Sequence, residues 1–165
     1  MFSVRTKLVL VAGLVVVGAP ARSATTAGVL TVQATVVDAC AVASSALAFG
    51  VIDPAVGTAS RPSVGVNVTC TQGTPFAVGL GDGLNASAGQ RRMRGALGAN
   101  YIAYDLFRDS AGTQRFGDSV TTQRLTGQVG LGALANSISV YGGITAGQSA
   151  PADSYSDTVP ITIYY

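Results

Sequence analysis

The chain contains no histidine, no tryptophan and no glutamate, and its single lysine is Lys7. Each absence closes off a chemistry. Without histidine, Ser-His-Asp and Cys-His nucleophilic arrangements are excluded, and a two-cysteine zinc site lacks the nitrogen ligands that would complete it. Aspartate pairs such as Asp105/Asp109 and Asp153/Asp157 remain for acid–base work, but their spacing reads as loop and turn positions. The chain is therefore read as a non-enzyme with no cofactor and no metal. The scarcity of lysine and glutamate also removes two good helix formers, and no segment carries a helical apolar period of useful length.

A long hydrophobic run is missing too. Leu8 to Val17 is an apolar stretch too short to span a bilayer. Arg5 and Lys7 precede it and Ala19-Pro20-Ala21 follows it, which is the pattern of a secretory signal peptide over residues 1–21, with cleavage after Ala21 as the first choice and after Ala24 as the alternative. Without Arg5 and Lys7, the ten basic residues fall to eight arginines, against eight aspartates. The exported chain is then formally neutral, so its basicity is that of the leader and no nucleic-acid partner is indicated. A neutral chain so poor in charge is prone to associate. Cys40 and Cys70 are an even count in an exported protein and are read as one disulfide. Closing a loop of that length stabilises by about 3–4 kcal/mol on the chain-entropy argument.

The residues present describe strands. From Gly28 to Val37, Leu30, Val32, Ala34 and Val36 fall on one side of an extended chain, and Thr31, Gln33 and Thr35 on the other. Shorter alternations follow at Leu47/Phe49/Val51, Val64/Val66/Val68/Cys70, Phe76/Val78/Leu80 and Ile102/Tyr104/Leu106. Weaker strands are expected near 121–128 and 137–141, and a last one at Val159/Ile161/Ile163/Tyr165. Residues 84–100 and 142–153 read as loops. Strands of this length between Gly, Pro, Asn and Asp turns predict an all-β, immunoglobulin-like antiparallel β-sandwich. If that sandwich is one strand short, the terminal strand borders an open groove with an unprotected edge.

Three local patterns read as structure. Asp82-Gly83-Leu84-Asn85 hints at a calcium loop but lacks the remaining ligands, so a turn is expected. The cluster Arg91-Arg92-Met93-Arg94 is expected in a solvated loop or at a subunit contact. Asn67-Val68-Thr69 and Asn85-Ala86-Ser87 match glycosylation acceptors, the first within a core strand. The opening stretch 28–37 has two readings: it is the first strand of its own sandwich, or it serves a neighbour.

An ordered set of motifs adds to this. The set comprises the N-terminal strand running to Cys40, Leu47-Ala48-Phe49-Gly50, and Val66-Asn67-Val68-Thr69-Cys70-Thr71 with Gly73-Thr74-Pro75-Phe76. Arg91-Arg92-Met93 precedes Tyr104-Asp105-Leu106-Phe107-Arg108-Asp109, and Tyr155-Ser156-Asp157-Thr158-Val159 leads into the last strand. Together they resemble the spore coat protein U-like domain of archaic chaperone–usher pilin subunits, across essentially the whole exported chain. The resemblance implies an incomplete sandwich lacking its last strand and completed by a donor strand. A periplasmic chaperone lends that strand first, and at the outer-membrane usher the N-terminal segment of the next like subunit replaces it. Carried to this chain, the resemblance divides it into a signal peptide (1–21), a donor segment (22–37) and a pilin domain (38–165). Leu30, Val32, Ala34 and Val36 would be the donor side chains, and Val159, Ile161 and Ile163 the wall of the acceptor groove. The implied role is a surface pilus subunit, exported through the periplasm and serving adhesion and biofilm formation. A secreted monomeric sandwich binding a surface or carbohydrate, or a spore-coat-type structural protein, are the alternatives.

Overall fold

Alternation of buried and exposed side chains builds the molecule strand by strand. A computed structural model describes residues 18, 22–43, 45–58 and 61–165. The leader read from residues 1–21 lies outside these, Gly18 apart. The chain falls into two units, Met1–Thr35 and Val36–Tyr165. In the first, residues 22–35 carry no regular secondary structure. Strand geometry requires a partner's main chain, and among the described residues the alternation at 28–37 pairs with no strand.

The second unit holds the strands β1 (Cys40–Val42), β2 (Ser63–Cys70), β3 (Pro75–Leu80), β4 (Arg91–Gly95), β5 (Tyr101–Phe107), β6 (Leu125–Val129), β7 (Asn136–Ile144), β8 (Tyr155–Ser156) and β9 (Ile161–Tyr164). They form an antiparallel sandwich of two sheets, ordered β1-β2-β7-β5-β4-β8 and β6-β3-β9. Val66 and Val68 of β2, Ile102, Tyr104 and Leu106 of β5, and Ile138, Val140 and Ile144 of β7 point inward from the larger sheet. They meet Phe76, Val78 and Leu80 of β3, with Phe116 fully buried beside them. This period-two pattern is the one visible in the sequence.

Cys40 and Cys70 are directly opposite in the β1–β2 register and are bonded to each other. The bridge fixes the start of the second unit to the end of β2. Beside it, Thr71 Oγ1 donates to the Val37 carbonyl at 3.0 Å and Thr74 Oγ1 to Asp38 Oδ1 at 2.6 Å.

Four sequence expectations change. Leu47, Phe49 and Val51 form no strand: Leu47 and Phe49 pack on the core, whereas Val51 points to solvent. The stretch 142–153 is not all loop, because β7 continues to Ile144. Gly142 permits the packing there, since a Cβ on it would lie 2.8 Å from atoms of both Leu47 and Phe49. Residues 121–123 form a 3-10 turn rather than strand. The largest change concerns the arginine cluster, which lies on β4 and not in a loop.

Arg91 is completely buried. Its Nε donates to the Gly81 carbonyl at 2.9 Å, and Nη2 lies 2.8 Å from each of the Leu80, Gly81 and Phe116 carbonyls. These bonds join β4 of one sheet to the end of β3 in the other. Nη1 sits 3.5 Å from Asp105 Oδ1 without a hydrogen bond, and Arg115 shares that carboxylate at 2.9 Å. Burial, followed by repulsion from Arg115, lowers the Arg91 pKa, with Asp105 acting in the opposite direction. Arg92 stacks on Tyr101 at 4.3 Å, and Arg94 is the solvated member of the cluster.

Replacing Arg91 strands three carbonyls and leaves Asp105 beside Arg115 alone. The variant Arg91→Met should therefore lose about 3–5 kcal/mol, the cost of removing one partner from a buried charged network. Urea denaturation reads this directly, and Arg91→Lys should recover only part, because an ammonium lacks the planar fork. The double variant Cys40→Ala/Cys70→Ala should lose about 3–4 kcal/mol in the same measurement.

Candidate functional site

A long apolar groove of about 1250 Å³ opens on the core of the second unit. Its floor is made of inward side chains, among them Val66, Met93, Ile102, Leu106 and Val140. One wall is the segment after β1, carrying Leu47, Phe49 and Ile52, each half-buried. The other is the segment running from Ala150 through Tyr155 and Val159 to Ile161 at the start of β9.

The main chain along both walls explains why the groove stays open. The first wall follows β2 briefly: the Ala43 amide donates to the Asn67 carbonyl at 3.0 Å, and Ser45 Oγ donates to the Gly65 carbonyl at 2.9 Å. Beyond that, residues 46–52 make no backbone–backbone hydrogen bond among the described residues. On the second wall, β9 pairs with β3 on one side, and no strand pairs with its other edge among the described residues. Buried backbone groups need partners, and an unpaired strand edge is a template for an added strand.

A polar cluster closes part of the groove. Tyr104 is buried and donates its hydroxyl to Asp157 Oδ2 at 2.8 Å. Asp157 Oδ1 accepts from the Asn85 side chain at 2.9 Å and from its amide at 3.2 Å. Phe49 meets the Tyr104 ring edge-on, with centroids 5.9 Å apart. Burial, then the hydrogen bond and the charge of Asp157, push the Tyr104 pKa up from 10.0. The stretch 82–85 is thus occupied internally, with Asn85 on Asp157 and Asp82 3.3 Å from Arg115. Among the described residues no group of three or more His, Cys or Asp side chains is placed to hold a metal.

Val159 and Ile161 line the groove, whereas Ile163 packs on the core without lining it. Leu30, Val32 and Val36 are each at least 80% exposed, and Ala34 is exposed too. Asp105 lies in the arginine network and Asp109 caps a turn by accepting from the Thr113 and Gln114 amides, so that pair is not convergent. Sequence reading placed no residue of the first wall in the groove. The alternation of Leu47 and Phe49 was the available signal, but Ile52 breaks its period.

Comparison with known proteins bears on the fold and the family. Residues 26–162 match the Spore Coat Protein U domain. The chain is 34% identical over 161 residues to Protein U of Myxococcus xanthus, covering 88% of each chain. It also superposes with a TM-score of 0.60 and 21% identity on a chain of the crystal structure of the CsuC-CsuE chaperone-tip adhesion subunit pre-assembly complex from archaic chaperone-usher Csu pili of Acinetobacter baumannii. That likeness covers 79% of this chain and 41% of the other, and at such identity it concerns the fold. Among the described residues no helix is long and apolar enough to cross a membrane.

The Tyr104–Asp157 contact makes a double prediction. Tyr104→Phe should cost roughly 1.5–3 kcal/mol, the range for a hydrogen bond to a charged group. The folded phenol ionises less readily than the unfolded one, so its stabilisation is complete below pH 10 and is lost as pH rises above that value. Chemical denaturation repeated from pH 8 upward should show this alkaline loss in the wild type and a shallower one in Tyr104→Phe.

Proposed function

The chain belongs to the Spore Coat Protein U domain family, and from that premise we propose that it is a structural subunit of a chaperone–usher surface pilus, polymerised by donor-strand exchange. The observation that carries the reading is the groove, where residues 46–52 and the outer edge of β9 have no strand partner among the described residues. A strand laid between residues 46–52 and β9 would satisfy both walls and cover the apolar floor. In this reading the sandwich is incomplete by one strand, which a periplasmic chaperone lends first. The N-terminal segment of the next like subunit replaces it at the outer-membrane usher.

Leu30, Val32, Ala34 and Val36 are the donor side chains of the proposal. Their alternation suits a groove lined on one face, and their exposure leaves them available. Val159 and Ile161 form the receiving wall, with Ile163 supporting β9 from the core side. Burying Leu30, Val32 and Val36 is worth roughly 1.5–3 kcal/mol each, and the row of main-chain bonds adds to it. Release would require opening the sandwich, so the linkage is kinetically persistent. Export through the periplasm, a place on the cell surface and a part in adhesion and biofilm formation follow from the same reading. The coincidence of a neutral exported chain with an exposed apolar segment supports an assembled rather than a free state.

Co-expression with a cognate chaperone tests this. The full chain should form a one-to-one chaperone complex, and surface material should run as a ladder on unboiled gels. Deleting Arg22–Val36 should abolish the ladder and leave chaperone binding intact. Val32→Asp should weaken the polymer while leaving subunit denaturation nearly unchanged. Equal damage to both would make residues 28–37 a strand of the chain's own core and sink the proposal.

A further inference from the structure

The two ends of the sandwich differ in what they expose, and β7 defines them. Its first residue, Asn136, is paired with Val68 near the Cys40–Cys70 bridge, and its last, Ile144, is paired with Tyr104 and bonded to Thr58. At the bridge end lies the β6–β7 connection, 130–135, which contains no charged residue. It is held down by the Gly132 amide on the Cys70 carbonyl at 3.1 Å and by the Gly73 amide on the Gly130 carbonyl at 3.0 Å. Leu131 and Leu134 project from this connection, 51% and 70% exposed. Val37, itself exposed, is tied to the same end through Thr71. The second unit's N-terminal root and an apolar turn closed by the Leu131–Leu134 β-bridge therefore share one pole.

The opposite pole carries a hollow of about 330 Å³, lined by Phe49, Val51, Ile52, Asp53, Val56, Gly57 and Thr58. Its turn is anchored by the Thr58 amide on the Ile144 carbonyl at 3.2 Å and by the Gly147 amide on the Ala55 carbonyl at 2.9 Å. Gly57 has a positive φ of 76°, and a Cβ there would meet the Ile144 carbonyl at 2.7 Å, so the turn sits tight on β7. Val51 and Val56 stand exposed at its rim. Asp53 also stands exposed at the rim, with its Oδ1 accepting from the Ala55 amide at 2.9 Å, so the exposed valines share the rim with one carboxylate.

We infer that in the assembled filament the Leu131/Leu134 tip of one subunit docks in the Val51/Val56 hollow of the subunit whose groove it completes. The inference rests on the donor-strand reading and adds a second contact beside it, next to the groove wall, with which the hollow shares Phe49, Val51 and Ile52. Strand polarity supplies the direction. Every strand pair in the sandwich is antiparallel, so a donor added to the free edge of β9 runs as β3 does. The β3 strand starts next to Thr74 at the bridge pole and runs away from it. The donor therefore leaves the receiving subunit at the far pole, where the hollow is, and leads to its own subunit's Val37 and leucine tip. The exposed leucines of the tip and the exposed Val51 and Val56 of the hollow are brought face to face in a heterologous, head-to-tail contact. Such a contact sets the angle between subunits, while the donor strand supplies the permanence.

Paired cysteines test this in the full chain, co-expressed with its chaperone and usher. In Leu134→Cys/Val56→Cys, and separately in Leu131→Cys/Val51→Cys, an oxidised filament should give a ladder that survives boiling without reductant and collapses with it. Each single variant should give none. The unboiled ladder of the wild type, held by strand exchange alone, should disappear on boiling. An unboiled ladder with no covalent ladder in either pair overturns the docking contact and leaves donor-strand exchange standing. Covalent dimers from a single variant would mean like poles meet, which also overturns it. No unboiled ladder from the wild type overturns the donor-strand reading, and the contact with it.

Discussion

A single guanidinium joins the two sheets of this sandwich. Arg91 rises from β4 in the larger sheet and ends among the carbonyls of Leu80, Gly81 and Phe116, at the exit of β3 and in the segment that follows β5. A buried charge is tolerated only where its hydrogen bonds are met, so the position of those carbonyls is fixed as firmly as that of the arginine. The strand β3 is in turn the centre of the smaller sheet, and β9 hangs on it by one edge. The geometry of the groove wall is thus set from the far side of the core.

From this follows the character of the groove. Its floor is ordinary core, packed from both sheets, and among the described residues 46–52 on one wall and the outer edge of β9 on the other have no main-chain partner. The bridge at Cys40 holds the start of one wall against β2, and Tyr104 holds the other by its bond to Asp157. The first wall is secured by a few contacts to β2, and the second by the ladder that β9 makes with β3 along one edge. The strand of the proposed function would find these partners already in place, which is what preorganisation requires.

Much of the fold was legible in the residues. The alternations ending at Cys70, Leu80 and Leu106 became β2, β3 and β5 with the inward residues as read, because period two is a property of any strand with one buried face. The cysteine pair was legible for a similar reason, since an exported chain with two cysteines has one pairing. The arginine cluster was not. Its composition suggests a solvated loop, yet Arg91 is buried because acceptors distant in sequence, at Leu80, Gly81 and Phe116, converge on it. The wall at Leu47–Ile52 was obscured for a related reason. Its conformation is set by Gly142, a residue nearly a hundred positions away, whose missing side chain admits Leu47 and Phe49.

What the sequence determined by itself was the class of molecule: an all-β chain with one disulfide, and an opening segment patterned like a strand. These are local properties, carried by the period of apolar residues and by the cysteine count. Which strands have neighbours and which edges lack them was decided only by the tertiary structure. Pairing depends on where distant segments of main chain come to lie, and no local pattern records it. In sequence the open edge of the last strand is only a condition, and the residues at 46–52 read as an ordinary alternation. Their placement shows that, among the described residues, 46–52 and the outer edge of β9 have no main-chain partners.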